Sequence, residues 1–130
     1  MPRVLISDKL SEEAVNIFEA AGVQVDFKPG LPADELKEII HNYDGLAVRS
    51  ATKVTSEIIA LASNLRVVGR AGIGVDNVDI PAATAAGILV MNTPFGNAIT
   101  TAEHAIAMML SLTRQIPQAH MSTIAGKWEK

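Results

Sequence analysis

The residues of this 130-residue chain that could do chemistry cluster in Gly69-Arg70-Ala71-Gly72-Ile73-Gly74-Val75-Asp76. Three glycines so close together permit backbone dihedrals that other residues avoid, which lets consecutive amide N–H groups turn toward one concavity and bind an anion. Arg70 stands at the edge of that concavity with a planar fork of donors suited to a carboxylate or a phosphate. Arg49, followed by Ser50, ends the preceding apolar run Leu46 to Val48 and could supply a second fork. Two guanidinium groups and a nest of amides suit a small ligand with two anionic groups. The plainer alternatives are that Arg70 is a surface cation paired with Asp76 and that Arg49 is a solvated strand end.

Other chemistries find less support. The glycine spacing is Gly-x-x-Gly-x-Gly rather than the Gly-x-Gly-x-x-Gly of a dinucleotide turn, and the helix that follows starts at Asp79, whose charge would repel a pyrophosphate. His41, His104 and His120 lack metal-ligand spacing, and there is no cysteine. No Gly-x-Ser-x-Gly elbow occurs, and the first strand is followed by the single acid Asp8 rather than an acidic pair. Met108-Met109 reads as packing, and Glu103 and His104 as residues that cap or orient.

The bulk properties set the frame for these residues. With 48% apolar positions, 130 residues can bury one ordinary core, so one domain or one domain plus part of another is expected. A formal charge of −3 with scattered acids gives no basic stripe for nucleic acid. The run Val4-Leu5-Ile6 is too short for a signal peptide, and Ala105 to Leu110 falls short of the roughly 20 residues that span a bilayer. A soluble protein of the cytoplasm is the expectation, without a membrane or nucleic-acid partner.

Short β-type runs alternate with helical patterns, which predicts an α/β fold, a flavodoxin-like or Rossmann-like parallel sheet with crossover helices. The runs are Val4 to Ile6, Val23 to Phe27, Leu46 to Val48, Val67 to Gly69 and Ile88 to Met91. Ser11 can cap a first helix with Ala14, Ile17, Phe18 and Ala21 inward and Gly22 as its stop. Pro32 starts a second, buried through Leu36, Ile39 and Ile40. Thr55 precedes a third, with Ile58, Ile59, Leu61 and Ala62 inward, and Asp79 caps a fourth that Gly87 ends. In such sheets ligands collect where the strands finish, and the ends here deliver Lys28, Arg49, Arg70 and Asn92-Thr93.

Beyond Asn97 the pattern changes. The longest helical segment, Ile99 to about Gln115, is apolar nearly all the way round and must be covered on several sides. It reads as a bridging helix, with residues 1–97 forming one α/β domain and residues 98–130 the bridge and the start of another. Ile116-Pro117 marks a kink before a last short helix that runs toward Gly126.

The stretches Val48-Arg49-Ser50-Ala51-Thr52-Lys53-Val54-Thr55, Val67 to Asp79, Asn92-Thr93-Pro94 with Asn97, and Thr101-Ala102-Glu103-His104 resemble the D-2-hydroxyacid dehydrogenases. The resemblance covers essentially the whole chain, and Arg49 within Arg-Ser-Ala-Thr points to the phosphoglycerate branch. It implies oxidation of 3-phospho-D-glycerate to 3-phosphohydroxypyruvate with NAD, the entry to serine biosynthesis, by a homodimer or homotetramer with the bridging helix at an interface. Carried over by position, Arg49 and Arg70, beside Ser50, would hold the phosphate, and the amides of Gly72, Ile73 and Gly74 the carboxylate. Ile73 would lie at the nicotinamide side of the cofactor, without the side-chain hydrogen bond that a hydroxyl residue gives there. The family's dinucleotide turn and its catalytic arginine, glutamate and histidine have no counterpart in these 130 residues, so turnover by this chain alone is not expected. Three alternatives stay open: another D-2-hydroxyacid dehydrogenase, a free-standing anion-binding regulatory module, and an assembly piece that dimerises through its apolar helix.

Overall fold

A computed structural model of the chain describes residues 1–128; Glu129 and Lys130 lie outside the described residues. The chain divides into two compact units, Met1–Gly96 and a second from Asn97 onward.

The first unit carries five parallel strands: β1 (Arg3–Ile6), β2 (Gln24–Phe27), β3 (Gly45–Val48), β4 (Val67–Arg70) and β5 (Leu89–Asn92). Their order across the sheet is β2-β1-β3-β4-β5, the flavodoxin-like doubly wound arrangement. The crossovers are α1 (Glu12–Ala20), α2 (Ala33–Ile39), α3 (Ser56–Leu61) and α4 (Ile80–Ala85).

The helix ends follow their residues. The Thr55 hydroxyl accepts from the Ile58 amide at 3.4 Å, and the Asp79 carboxylate accepts from the Ala82 amide at 3.0 Å, each satisfying a donor that the first turn leaves without a partner. Ser11 precedes α1 in an extended conformation without a side-chain cap. Gly22, with φ of 75°, turns the chain out of α1 through the left-handed region that glycine enters without a Cβ clash.

Because side chains alternate along a strand, each strand splits its residues between two faces. Leu5, Leu46, Val48 and Val68 pack with Leu36 and Ile40 and with Ile58, Ile59 and Ala83 into one buried cluster, so α2, α3 and α4 share a face. The opposite face carries Val4, Gly45, Ala47, Val67 and Gly69, and α1 meets it through Phe18 at a groove of roughly 470 Å³. Three expected inward residues do not bury: Ile17 is 63% exposed, Leu61 is 47% exposed, and Ala21 is exposed just past the end of α1. On α1 the half-buried residues are Ala14, Val15 and Phe18, and Ile17 is left in solvent; Leu61 ends a helix of six residues whose inward turn is already filled by Ile58 and Ile59.

Asp26 within β2, Arg3 at the start of β1 and Tyr43 just before β3 staple the three strands. The buried Tyr43 hydroxyl donates to Asp26 Oδ2 at 2.6 Å, Arg3 Nη2 donates to the same oxygen at 2.6 Å, and the Arg3 guanidinium lies 4.9 Å from the Tyr43 ring centre. Burial first, and then the bond to Asp26, push the Tyr43 phenol up to about 12.

The second unit consists of α5 (Ala98–Thr113) and α6 (Ile116–Ile124). Between them Gln115 adopts φ of 51°, left-handed without being glycine, and Pro117 falls in the first turn of α6. No residue of α5 is buried, and Met108 and Met109, expected as packing residues, are each 59% exposed.

Candidate functional site

The carboxyl ends of three adjacent strands build the site. Arg70, the last residue of β4, is in register with Val48 on β3 and Asn92 on β5, and Arg49 follows Val48 directly. Lys28 leaves the far strand β2, one strand beyond β1 from these arginines.

Arg70 folds back over its own loop. Its Nη1 donates to the Gly74 carbonyl, its Nε donates to the Arg49 carbonyl at 3.3 Å, and its Nη2 lies 3.5 Å from Asp76 Oδ1. The pairing with Asp76 is therefore real, but Asp76 is 79% exposed, so solvent screens most of that attraction. The glycines explain how the side chain fits. A Cβ on Gly72 would stand 2.8 Å from Arg70 Nη1, and one on Gly74 would stand 3.4 Å from it. Gly69, Gly72 and Gly74 were expected to supply left-handed dihedrals, yet none of the three has a positive φ. Gly72 and Gly74 supply room for a guanidinium instead.

The loop is held through its carbonyls instead. Gly72 O accepts from the Thr93 amide at 3.0 Å, Ile73 O accepts from Asn92 Nδ2 at 2.7 Å, and Gly74 O accepts from Arg70. In a planar trans peptide the N–H points away from the C=O, so each of the amides of Ile73, Gly74 and Val75 points away from the donor that anchors the carbonyl before it. Those three N–H groups have no acceptor among the described residues. The Gly72 amide differs, because it donates to the Arg70 carbonyl at 2.9 Å. Ile73 is 43% exposed, so its apolar side chain can touch a flat ring and offers it no hydrogen bond.

Arg49 is held by its main chain and carries its side chain outward. Its amide donates to Asp8 Oδ2 at 2.6 Å, and its carbonyl accepts from Asn77 Nδ2 at 2.7 Å. Its Nη1 makes one long contact, 3.4 Å, with the Lys9 carbonyl. Each arginine is thus steered by a different loop, Arg49 toward the loop after β1 and Arg70 toward the loop after β4. Ser50, next to Arg49, is exposed.

Two residues that sequence reasoning left out organise this edge. Asp8 is 4% exposed and also accepts from the Thr52 amide and from the Thr52 hydroxyl, at 2.6 Å for the latter. Burial pushes its carboxyl up, but the Thr52 hydroxyl and the amides of Arg49, Thr52 and Ala51 outweigh that and hold it below the usual carboxylate range. Asn77 Nδ2 also donates to the Thr52 carbonyl at 2.7 Å, and the Val54 amide donates to the Asn77 carbonyl at 2.8 Å. The available signal was an acid at the ligand end of a central strand, met here as the single Asp8. The histidines gather no companions, and no cluster that could hold a metal occurs among the described residues.

The family model of the D-isomer specific 2-hydroxyacid dehydrogenase catalytic domain matches residues 4–129. The chain belongs to that family. Among its relatives, D-3-phosphoglycerate dehydrogenase from Archaeoglobus fulgidus is 50% identical over 128 residues, which is 98% of this chain and 24% of that relative. Of solved family structures, an NAD+-bound 3-phosphoglycerate dehydrogenase from Entamoeba histolytica aligns at a TM-score of 0.73 with 34% identity, over 85% of this chain and 38% of that one. A Pyrococcus horikoshii protein aligns at 0.88 with 29% identity, over all of this chain and 39% of that one. The chain thus spans about a quarter of the length of the curated dehydrogenases it matches. Among the described residues no helix is long and apolar enough to cross a membrane.

Proposed function

We propose that this chain is the substrate-binding part of an NAD-dependent dehydrogenase of the cytoplasm that oxidises 3-phospho-D-glycerate to 3-phosphohydroxypyruvate, and that it does not turn over substrate by itself. Residues 1–97 form the substrate-binding domain, and residues 98–130 the bridging helix and the start of the cofactor-binding domain. The observation that carries this reading is the pairing of two unlike anion receptors at one sheet edge. The free amides of Ile73 and Gly74 would meet a carboxylate, while Arg49, Ser50 and the weakly held Nη2 of Arg70 would meet a phosphate. Near-identity of purpose is supported by relatives named D-3-phosphoglycerate dehydrogenase at about 50% identity across the chain.

Held at both ends, the substrate has its C2 fixed between the two receptors, and this positioning is what the chain contributes to the reaction. NAD, when bound, accepts the hydride that leaves C2. This chain offers the cofactor the apolar side chain of Ile73 and no Gly-x-Gly-x-x-Gly turn, so the groups that hold NAD and take the hydroxyl proton are not among these 130 residues.

Calorimetric titration separates the receptors. 3-Phospho-D-glycerate is expected to bind more tightly than D-glycerate, and Arg49→Ala or Arg70→Ala should erase that preference while leaving D-glycerate binding nearly unchanged. Equal affinity for the two acids in the parent chain would reject the phosphate assignment and favour another 2-hydroxy acid.

A further inference from the structure

We propose that Asp8 is the positioning residue of this anion site: its carboxylate fills the concavity of the loop Arg49 to Thr52 and so fixes where Arg49 carries its charge. The inference rests on the reading of Arg49 as a phosphate receptor.

The argument starts from what surrounds a buried carboxylate. Asp8 has no cation among its hydrogen-bond partners; every donor to it is a neutral group of one loop, lying 41 to 44 residues away in sequence. Taking such a charge out of water is costly unless donors satisfy it, so the loop and the carboxylate fix each other. The Thr52 hydroxyl gives its proton to Asp8 Oδ1, so the 2.9 Å contact between Ser7 Oγ and Thr52 Oγ1 must be donated by Ser7. The result is a one-way chain of donors from Ser7 through Thr52 to Asp8, which leaves Thr52 a single rotamer.

From the other side Asn77 Nδ2 bridges the carbonyls of Arg49 and Thr52, and Arg70 Nε adds a second donor to the Arg49 carbonyl. The amide and the carbonyl of Arg49 are therefore both tied down, yet among the described residues its guanidinium has only the 3.4 Å contact with the Lys9 carbonyl. A pinned main chain with an uncommitted charge is the arrangement that a preorganised receptor requires. A lysine or arginine in place of these donors would neutralise Asp8 equally well but would not orient Arg49.

Electrostatics gives the test its sign. Asp8 puts a negative charge beside a site for anions, so a purely Coulombic view has Asp8→Asn strengthen ligand binding. Positioning has it weaken binding, because an amide presents one oxygen and turns an NH2 toward donors. Calorimetry with 3-phospho-D-glycerate, and separately with inorganic phosphate, on the parent, Asp8→Asn, Arg49→Ala and the double variant decides between them. The expected result is affinity about tenfold weaker in Asp8→Asn and no further loss when Asp8→Asn is added to Arg49→Ala. Tighter or unchanged binding overturns the proposal, as does an equal loss in both backgrounds, which would mark a general effect on the fold. Should Asp8→Asn fail to fold, Thr52→Val takes its place in the cycle, with Thr52→Ser expected to recover affinity relative to it.

If the parent binds neither ligand, the substrate reading fails by itself. The Asp8 inference is then decided without ligand, by amide hydrogen exchange at Arg49 and Thr52. Exchange about tenfold faster there in Asp8→Asn, with Leu5 and Val68 unchanged, supports it; unchanged exchange at Arg49 overturns it.

Discussion

The guanidinium of Arg70 rests on Gly72 so closely that a Cβ at position 72 would stand 2.8 Å from Nη1. What it would strike is the far end of a flexible side chain, and Gly72 has no positive φ, so the fold can absorb a methyl there. Gly72→Ala is expected to cost stability only about 0.5 kcal/mol while weakening 3-phospho-D-glycerate binding severalfold, because Arg70 must leave its seat. Gly22→Ala is the reverse case. Nothing crowds that position, but its φ of 75° should cost about 1–2 kcal/mol with no effect on the ligand. Urea unfolding and calorimetry on the two variants check the contrast.

Asp76 competes with the ligand for Arg70. Replacing it by asparagine removes a negative charge 3.5 Å from Nη2, and phosphate-bearing ligands should then bind about two- to threefold more tightly at low salt. Since Asp76 is largely exposed, the gain should fade as added salt brings the Debye length below roughly 8 Å. A titration series in salt measures this, and an effect independent of salt would point to a change in loop shape.

Tyr43 is the chain's one tyrosine, so its ionisation can be followed by tyrosinate absorbance without interference. Its phenol is raised from 10.0 to about 12, so the stability it contributes is complete below pH 10 and is lost as pH climbs through about 12. Its partner Asp26 has the opposite shift. The bond from Tyr43 above all holds that carboxyl below 3.8, so its contribution is intact above that value and is lost as pH falls through the lowered one. Tyr43→Phe should therefore flatten the alkaline limb, blunt the acid limb and cost about 1–2 kcal/mol near neutrality. Denaturant unfolding across pH reports all three.

The five strands and their helices were legible because local signals agreed with the fold: Thr55 and Asp79 cap where expected, Gly22 and Gly87 stop their helices, and the strand runs fall within a residue of the observed ends. Ile17, Ala21 and Leu61 turn out exposed because helical periodicity names a face and cannot say how wide the partner surface is. At the site, Arg49, Arg70 and the glycine loop were visible by type and position. Asp8 and Asn77 were not, because a lone aspartate or asparagine in a loop gains meaning only from the segment it meets, here more than 25 positions away.

The apolar helix α5 predicts association. Ile106, Met109 and Leu110 are each more than half exposed, and Leu112 is 76% exposed. Such a surface is expected to drive self-association that strengthens with salt, and Ile106→Glu with Leu110→Glu should return the chain to monomer. Sedimentation velocity over a range of protein and salt concentrations decides; a monomer under every condition would remove this helix from consideration as an interface.

Gln115 holds a dihedral that asparagine or glycine would adopt with less penalty, and two residues later a proline ring denies α6 an amide. Together they forbid the hydrogen-bond ladder of α5 from running on into α6. A glycine at 115 should make the corner cheaper to hold, whereas an alanine at 117 should favour a ladder that runs on, since Gln115 then gains by leaving its left-handed conformation. The bend therefore rests on the proline, because glutamine has no preference of its own for the left-handed corner it occupies.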